Sequence, residues 1–211
     1  MRPIPCGWHG TPTCIGDNGG VTSADHDTDA VTSGSDAAPR RVGVLATVAV
    51  VVLALDLLSK VAVAAWLGVE HGLEHPPVRL LWGAVYLLQT RNAGAAFSVG
   101  TGATVILTVI AVVIVVVIIR SARRMRSVGW AVALGLVLGG ALGNLVDRIF
   151  RAPGIGRGHV VDWISLFSND GHVWPIFNIA DSAIVCGAVL SAILAMRGVD
   201  LDGTRTRSDR G

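Results

Sequence analysis

Four aspartates lie inside or beside the long apolar stretches of this sequence: Asp56, Asp147, Asp162 and Asp181. A carboxylate in a membrane helix is costly, so each one needs a partner or a function. Two carboxyl groups that share one proton can perform acid–base chemistry, because one accepts a proton while the other donates one. These residues therefore indicate acid–base chemistry or proton transfer in a membrane.

Counting residues along the apolar segments places the four aspartates at one depth. At ~1.5 Å per residue, Asp56 lies ~21 Å from the start of the first segment and Asp147 ~28 Å from the start of the third. Asp181 opens the fourth segment from the same side of the membrane, and Asp162 lies in the loop before it. The sequence therefore predicts a polar site that is open to the outer leaflet.

The elements that must hold these residues are hydrophobic segments at about 42–67, 101–119, 128–146 and 178–196. Each segment is about long enough to span ~30 Å of hydrocarbon as a helix. An apolar fraction of 52% with only 15% charged residues is also typical of membrane proteins. We therefore predict an all-α membrane protein with four transmembrane helices. Its two longer outer loops, 68–100 and 147–177, have room for a small β element and an interfacial helix.

Polar composition at both ends predicts disordered cytoplasmic tails, residues 1–39 and 198–211, around a membrane domain at 40–197. Arginines before the first segment, between the second and third, and after the fourth place both termini in the cytoplasm. Arginines in the third connection argue the other way but are less dense. The net charge of +2 is too small to suggest nucleic acid. The three cysteines have no ligand pair at a metal-binding spacing.

Structural roles account for several of these polar residues as well as functional ones do. Asp56 and Lys60 are four residues apart on one helix face and could simply pair. Asn178 and Asp181 have the spacing of a helix capping box, and Asp147 could pair with Arg148 at the interface. The small-residue spacing of the third segment predicts helix-packing contacts at Gly135, Gly139 and Gly143.

Five motifs in order resemble the lipoprotein signal peptidase family, also called signal peptidase II. They are D-L-L-S-K at 56–60, R-N-A-G-A-A-F-S at 91–98, G-G-A-L-G-N-L-V-D-R at 139–148, H-V-V-D-W at 159–163 and F-N-I-A-D-S-A at 177–183. The resemblance covers about residues 42–197. It implies a membrane aspartic endopeptidase that cleaves diacylglyceryl-modified prolipoproteins before the lipidated cysteine.

The resemblance also implies the site residues. Asp162 and Asp181 match the family's catalytic carboxylates, and either could carry the shared proton. The implied supporting residues are Asp56, Asn92, Asn144, Asp147, Arg148 and Asn178. The implied setting is the bacterial cytoplasmic membrane, with the site at its outer face and lipid around it. We expect a monomer that needs no metal, cofactor or nucleic acid. The tail 1–39 and a longer segment at 151–158 depart from compact family members.

Two other functions compete with this interpretation. A proton-coupled transporter would have polar residues through the full membrane depth and internal repeats, whereas the second segment has almost none and no repeat is visible. A non-catalytic scaffold would tolerate asparagine at positions 162 and 181.

Overall fold

The computed structural model describes residues 40–68, 75–94 and 100–205. Its helices are α1 (Val42–Trp66), α2 (Gly100–Ala122), α3 (Val128–Phe150) and α4 (Ile179–Met196). Each contains a stretch long and apolar enough to cross a membrane, which confirms the predicted all-α membrane architecture. The largest difference is at the C-terminal end of α3, which continues about one turn beyond its predicted end. Asp147 and Arg148 are therefore helical residues.

Glycines let α3 pack closely against its neighbours. A Cβ atom on Gly139 would lie 2.6 Å from the carbonyl oxygen of Ala49 in α1. One on Gly187 of α4 would lie equally close, 2.6 Å, to the carbonyl oxygen of Ala133 in α3. Small residues allow this approach of two helix backbones in lipid, as the spacing on α3 predicted. By contrast, most of the Val and Ile side chains of α2 are exposed, which suits a lipid-facing helix.

A small antiparallel sheet packs against α1 and α3. Its strands are β1 (Val78–Leu80), β2 (Val85–Asn92) and β3 (Val160–Leu166), in the order β1-β2-β3. The predicted β element is therefore present. In residues 75–94 and 151–178 the structure has no interfacial α-helix, only a one-turn 3₁₀ helix at Leu81–Gly83. The register pairs Thr90 with Asp162, so β2 lies directly beside one of the predicted catalytic residues.

The chain after α4 differs from the expected disordered tail. Residues 198–205 form a turn closed by a bridge between Val199 and Arg205. The Leu201 carbonyl accepts hydrogen bonds from the backbone N–H groups of Arg126 and Ser127, at 2.9 and 3.1 Å. These bonds satisfy donors at the start of α3, which explains why a polar segment is ordered here. The predicted tail 1–39, residues 206–211 and part of the motif at 91–98 lie outside the described residues.

Candidate active site

Asp181 lies in the first turn of α4 and is held by a capping box. Its backbone N–H donates to the side-chain oxygen of Asn178 at 3.0 Å, and its Oδ2 accepts from the Asn178 backbone N–H at 3.2 Å. The capping role predicted from the spacing is therefore confirmed. The other oxygen, Oδ1, accepts a hydrogen bond from Asn144 Nδ2 at 2.8 Å. Capping thus uses one carboxylate oxygen and leaves the second directed at other polar side chains.

Asp162 lies on β3 and is 2% exposed. Its Oδ2 accepts a hydrogen bond from Asn92 Nδ2 at 2.9 Å, and its Oδ1 accepts one from Asn178 Nδ2 at 2.6 Å. Burial, and next the nearby charge of Asp181, raise the pKa of Asp162 to about 6, against the lowering effect of the two amide donors. Asn178 therefore bonds to both aspartates at once and brings β3 and the start of α4 together.

A cavity of about 190 Å³ opens onto Asp162. One wall is formed by residues 90–92 of β2, and the opposite wall by residues from the loop between β3 and α4, including Pro175 and Ile176. The buried carboxyl group of Asp162 is thus accessible through the cavity between β2 and the loop that precedes α4.

A second group of polar residues surrounds Lys60 of α1, whose side chain is fully buried. Its Nζ lies 2.7 Å from Asp56 Oδ2, 2.9 Å from Asp147 Oδ2 and 3.1 Å from Asn144 Oδ1. We call Lys60, Asp56, Asn144 and Asp147 the Lys60 cluster. The predicted pairing of Asp56 with Lys60 is confirmed, but it is only one of three contacts made by this lysine.

The predicted pairing of Asp147 with Arg148 is wrong. Asp147 instead pairs with Lys60, and with Arg151 at 2.5 Å. Consecutive residues point to different sides of a helix, whereas residues four apart share a face. Arg148 lies near the two aspartates: the charge of Asp162 acts on it more strongly than that of Asp181. Its Nη1 is buried and has no hydrogen-bond partner among the described residues.

The structure brings together the two predicted catalytic residues and all six predicted supporting residues. They are Asp162 and Asp181, with Asp56, Asn92, Asn144, Asp147, Arg148 and Asn178. The sequence analysis missed the wider role of Lys60 and the contact of Arg151 with Asp147. An intramembrane lysine was a signal for the first, but its pairing with Asp56 was a sufficient local explanation. In residues 40–68, 75–94 and 100–205, no three His, Cys, Asp or Glu side chains are placed to hold a metal ion.

Comparison with known proteins identifies the family. Residues 48–197 match the family model described as signal peptidase (SPase) II. The chain belongs to this family. It is 50% identical over 161 residues to the lipoprotein signal peptidase of Rhodococcus jostii, covering 76% of each chain. It is 49% identical over 188 residues to that of Streptomyces griseus, covering 89% of this chain and 88% of the relative.

A solved bacterial membrane enzyme has the same fold, with a TM-score of 0.63 and 26% identity over 76% of this chain and 97% of that one. This signal peptidase II chain is therefore a bacterial membrane peptidase, as the motifs predicted. The transporter alternative finds no support among these relatives.

Proposed function

We propose that this protein is an aspartic endopeptidase that uses Asp162 and Asp181 to cut diacylglyceryl-modified prolipoproteins before the lipidated cysteine. The relatives in Rhodococcus and Streptomyces carry the name lipoprotein signal peptidase. The observation that carries the catalytic assignment is the shared contact of Asn178, whose Nδ2 lies 2.6 Å from Asp162 Oδ1 and whose Oδ1 accepts the Asp181 N–H. Asn178 also donates from its backbone N–H to Asp181 Oδ2 at 3.2 Å, so this one residue contacts both carboxylates, and Asp162 lines an accessible cavity.

In this proposal Asp162 carries the shared proton. Its pKa of about 6 results first from burial and next from Asp181, and both effects favour its neutral form. Asp181 is then the ionised partner. It accepts hydrogen bonds at both oxygens, and it lies at the N-terminus of α4, where the helix dipole stabilises negative charge.

The reaction follows from these two protonation states. Asp181 removes a proton from water, and the water oxygen bonds to the scissile carbonyl carbon while Asp162 protonates the carbonyl oxygen. When the tetrahedral intermediate collapses, the carbon–nitrogen bond breaks and Asp181 gives its proton to the leaving nitrogen. Asp162 recovers its proton from the hydroxyl group that becomes the new carbonyl. The products are a signal peptide with a free carboxyl group and a lipoprotein with a free amino-terminal cysteine.

Arg148 is the residue best placed to stabilise charge during this reaction. Its side chain is 9% exposed, its charge interacts with both aspartates, and its Nη1 is a free buried donor within the described structure. A preorganised donor beside the reacting carbonyl stabilises charge that develops in the transition state.

The proposed setting is the cytoplasmic membrane, with both termini in the cytoplasm and the site at the outer face. Dense arginines near the start of α1, in the α2–α3 connection and after α4 support this orientation. The exposed apolar side chains of α2 support contact with lipid. We propose that the enzyme works as a monomer and that its substrate brings its acyl chains through the outer leaflet.

The test is cleavage of a synthetic diacylglyceryl lipopeptide by the full chain in nanodiscs, with Asp162→Asn and Asp181→Asn made separately. Each variant is expected to lose at least about 100-fold in kcat while remaining inserted and folded. Asp202→Asn is the matched control, because Asp202 is an exposed aspartate in the C-terminal turn, and it should cleave normally. Near-normal turnover by either Asp162→Asn or Asp181→Asn would contradict the assignment.

A further inference from the structure

Lys60 is a buried charged residue that the proposed reaction does not use. An ammonium group carries three hydrogens and accepts none. The Lys60 Nζ donates a hydrogen bond to Asn144 Oδ1 at 3.1 Å and forms ion pairs with Asp56 Oδ2 at 2.7 Å and Asp147 Oδ2 at 2.9 Å. Lys60 therefore contacts three side chains, one from its own helix and two from α3.

The contact with Asn144 helps to determine which end of that amide faces Asp181. Asn144 receives the lysine on its oxygen and donates from Nδ2 to Asp181 Oδ1 at 2.8 Å. A flipped amide would place its oxygen against the carboxylate and its NH₂ group against the ammonium, and both contacts would be repulsive. Lys60 thus favours the orientation in which Asn144 donates to Asp181, together with Asn178 Nδ2, which donates to the same Asn144 oxygen at 3.2 Å.

The two carboxylates that bind Lys60 hold the backbone just before each proposed catalytic aspartate. Asp56 Oδ1 accepts from the N–H of Ala180 at 3.0 Å, one residue before Asp181. Asp147 Oδ2 accepts from the N–H of Val161 at 3.2 Å, one residue before Asp162. All three partners of Lys60 therefore contact either a catalytic aspartate or its preceding residue.

We propose that Lys60 is a positioning residue that sets the geometry of Asp162 and Asp181 through Asp56, Asn144 and Asp147 without touching the substrate. This inference rests on the proposed function of the two aspartates. Simple neutralisation of Asp56 would not require the other two contacts, and Asp147 already has Arg151 as a counter-ion at 2.5 Å.

The first test separates kcat from KM for Lys60→Met in nanodiscs, with the same synthetic lipopeptide. A misplacement of catalytic groups by about 1 Å costs on the order of 100-fold in rate, so kcat should fall by about that factor while KM stays within about threefold. The matched control is Val63→Ala, a buried apolar residue of α1 outside the Lys60 cluster. This control should lower thermal stability and leave kcat unchanged.

A charge-balanced variant covers the case in which Lys60→Met does not fold. Asp56→Asn with Lys60→Met removes one carboxylate together with the ammonium, and the introduced asparagine keeps an oxygen that can accept from Ala180. We expect this variant to fold and to keep a kcat at least about 30-fold below wild type, because Asn144 and Asp147 no longer contact an ammonium group. Recovery of wild-type kcat would show that Lys60 serves only to neutralise Asp56, and it would overturn the proposal.

Other outcomes also separate this inference from the proposed function. If Asp162→Asn and Asp181→Asn are inactive but Lys60→Met keeps wild-type kcat, the catalytic assignment stands and the positioning role is refuted. A rise in KM at constant kcat would also refute it, because that result would place Lys60 in substrate binding. If Asp162→Asn or Asp181→Asn cleaves normally, the proposed function itself fails.

Discussion

The raised pKa of Asp162 leads to a prediction about stability that does not depend on catalysis. Burial and then Asp181 raise this pKa to about 6 from the ordinary 3.8. The folded protein holds this proton more tightly than the unfolded chain does. Protonation of Asp162 therefore adds to the free energy of unfolding; this gain is fully present below about pH 3.8 and is lost as pH rises through about 6. Asp162→Asn removes this ionisation and should remove the associated pH dependence.

The size of the effect follows from the two pKa values. At about 1.36 kcal/mol per pH unit, the difference between 3.8 and about 6 corresponds to about 3 kcal/mol in the free energy of unfolding. Of this free energy, about 2 kcal/mol is lost between about pH 4.5 and pH 7.5. Wild type should lose this amount relative to Asp162→Asn over that interval.

Unfolding titrations with SDS in mixed micelles at several pH values would measure the difference. In Asp162→Asn, the amide donor of either Asn92 or Asn178 faces the NH₂ group of the new side chain, which lowers the free energy of unfolding. This loss is independent of pH between 4.5 and 7.5, so comparing how steeply the two stability curves change with pH removes it. Asp202→Asn is the control, because hydrogen bonds from Thr204 lower the pKa of Asp202 and its titration falls below this interval.

Parallel stability curves for wild type and Asp162→Asn would refute the reasoning. They would mean that Asp162 ionises as readily in the folded protein as in the unfolded chain. Asp162 would then be unsuited to hold the shared proton even near pH 6, and the assignment of acid and base would have to be reversed.

Two further predictions concern activity and packing. The kcat/KM of wild type should fall as pH rises through about 6, because Asp162 loses its proton there; a profile flat from about pH 4.5 to pH 8 would contradict this role. Gly139→Ala should lower the free energy of unfolding by about 1–3 kcal/mol, since its Cβ would lie 2.6 Å from a carbonyl oxygen of α1. Gly43→Ala, whose Cβ would meet nothing within 4 Å, should instead stabilise α1 by about 0.5–1 kcal/mol. Equal effects of the two substitutions in SDS titrations would contradict the packing argument.

Hydropathy and residue counting predicted the large features well, because few structures can bury apolar runs of this length. The same counting placed Asp56, Asp147, Asp162 and Asp181 at one depth, and the hydrogen bonds now connect these positions. Capping of α4 by Asn178 was also predictable, since it depends only on local spacing.

Contacts between distant parts of the chain could not be predicted in the same way. Lys60 and Asn144 are 84 positions apart, and Asn92 and Asp162 are 70 apart. No local periodicity relates such pairs, so Lys60 was explained by its neighbour Asp56 alone. The error at Asp147 has another cause, because adjacency in sequence was taken for adjacency in space, although the helix directs Arg151 to that carboxylate.

The Asp56–Lys60 pair has a consequence for how the protein enters the bilayer during synthesis. The two charges are one turn apart on the same helix, so α1 can leave the translocon as an electrically neutral segment before α3 has been made. Asp147 likewise carries its own counter-ion in Arg151, one turn further along. These two pairs can thus enter lipid without a lone charge, whose cost at the bilayer centre is at least about 2.5 kcal/mol. Lys60 then gains Asp147 and Asn144 as further partners at a later stage, when the inserted helices associate.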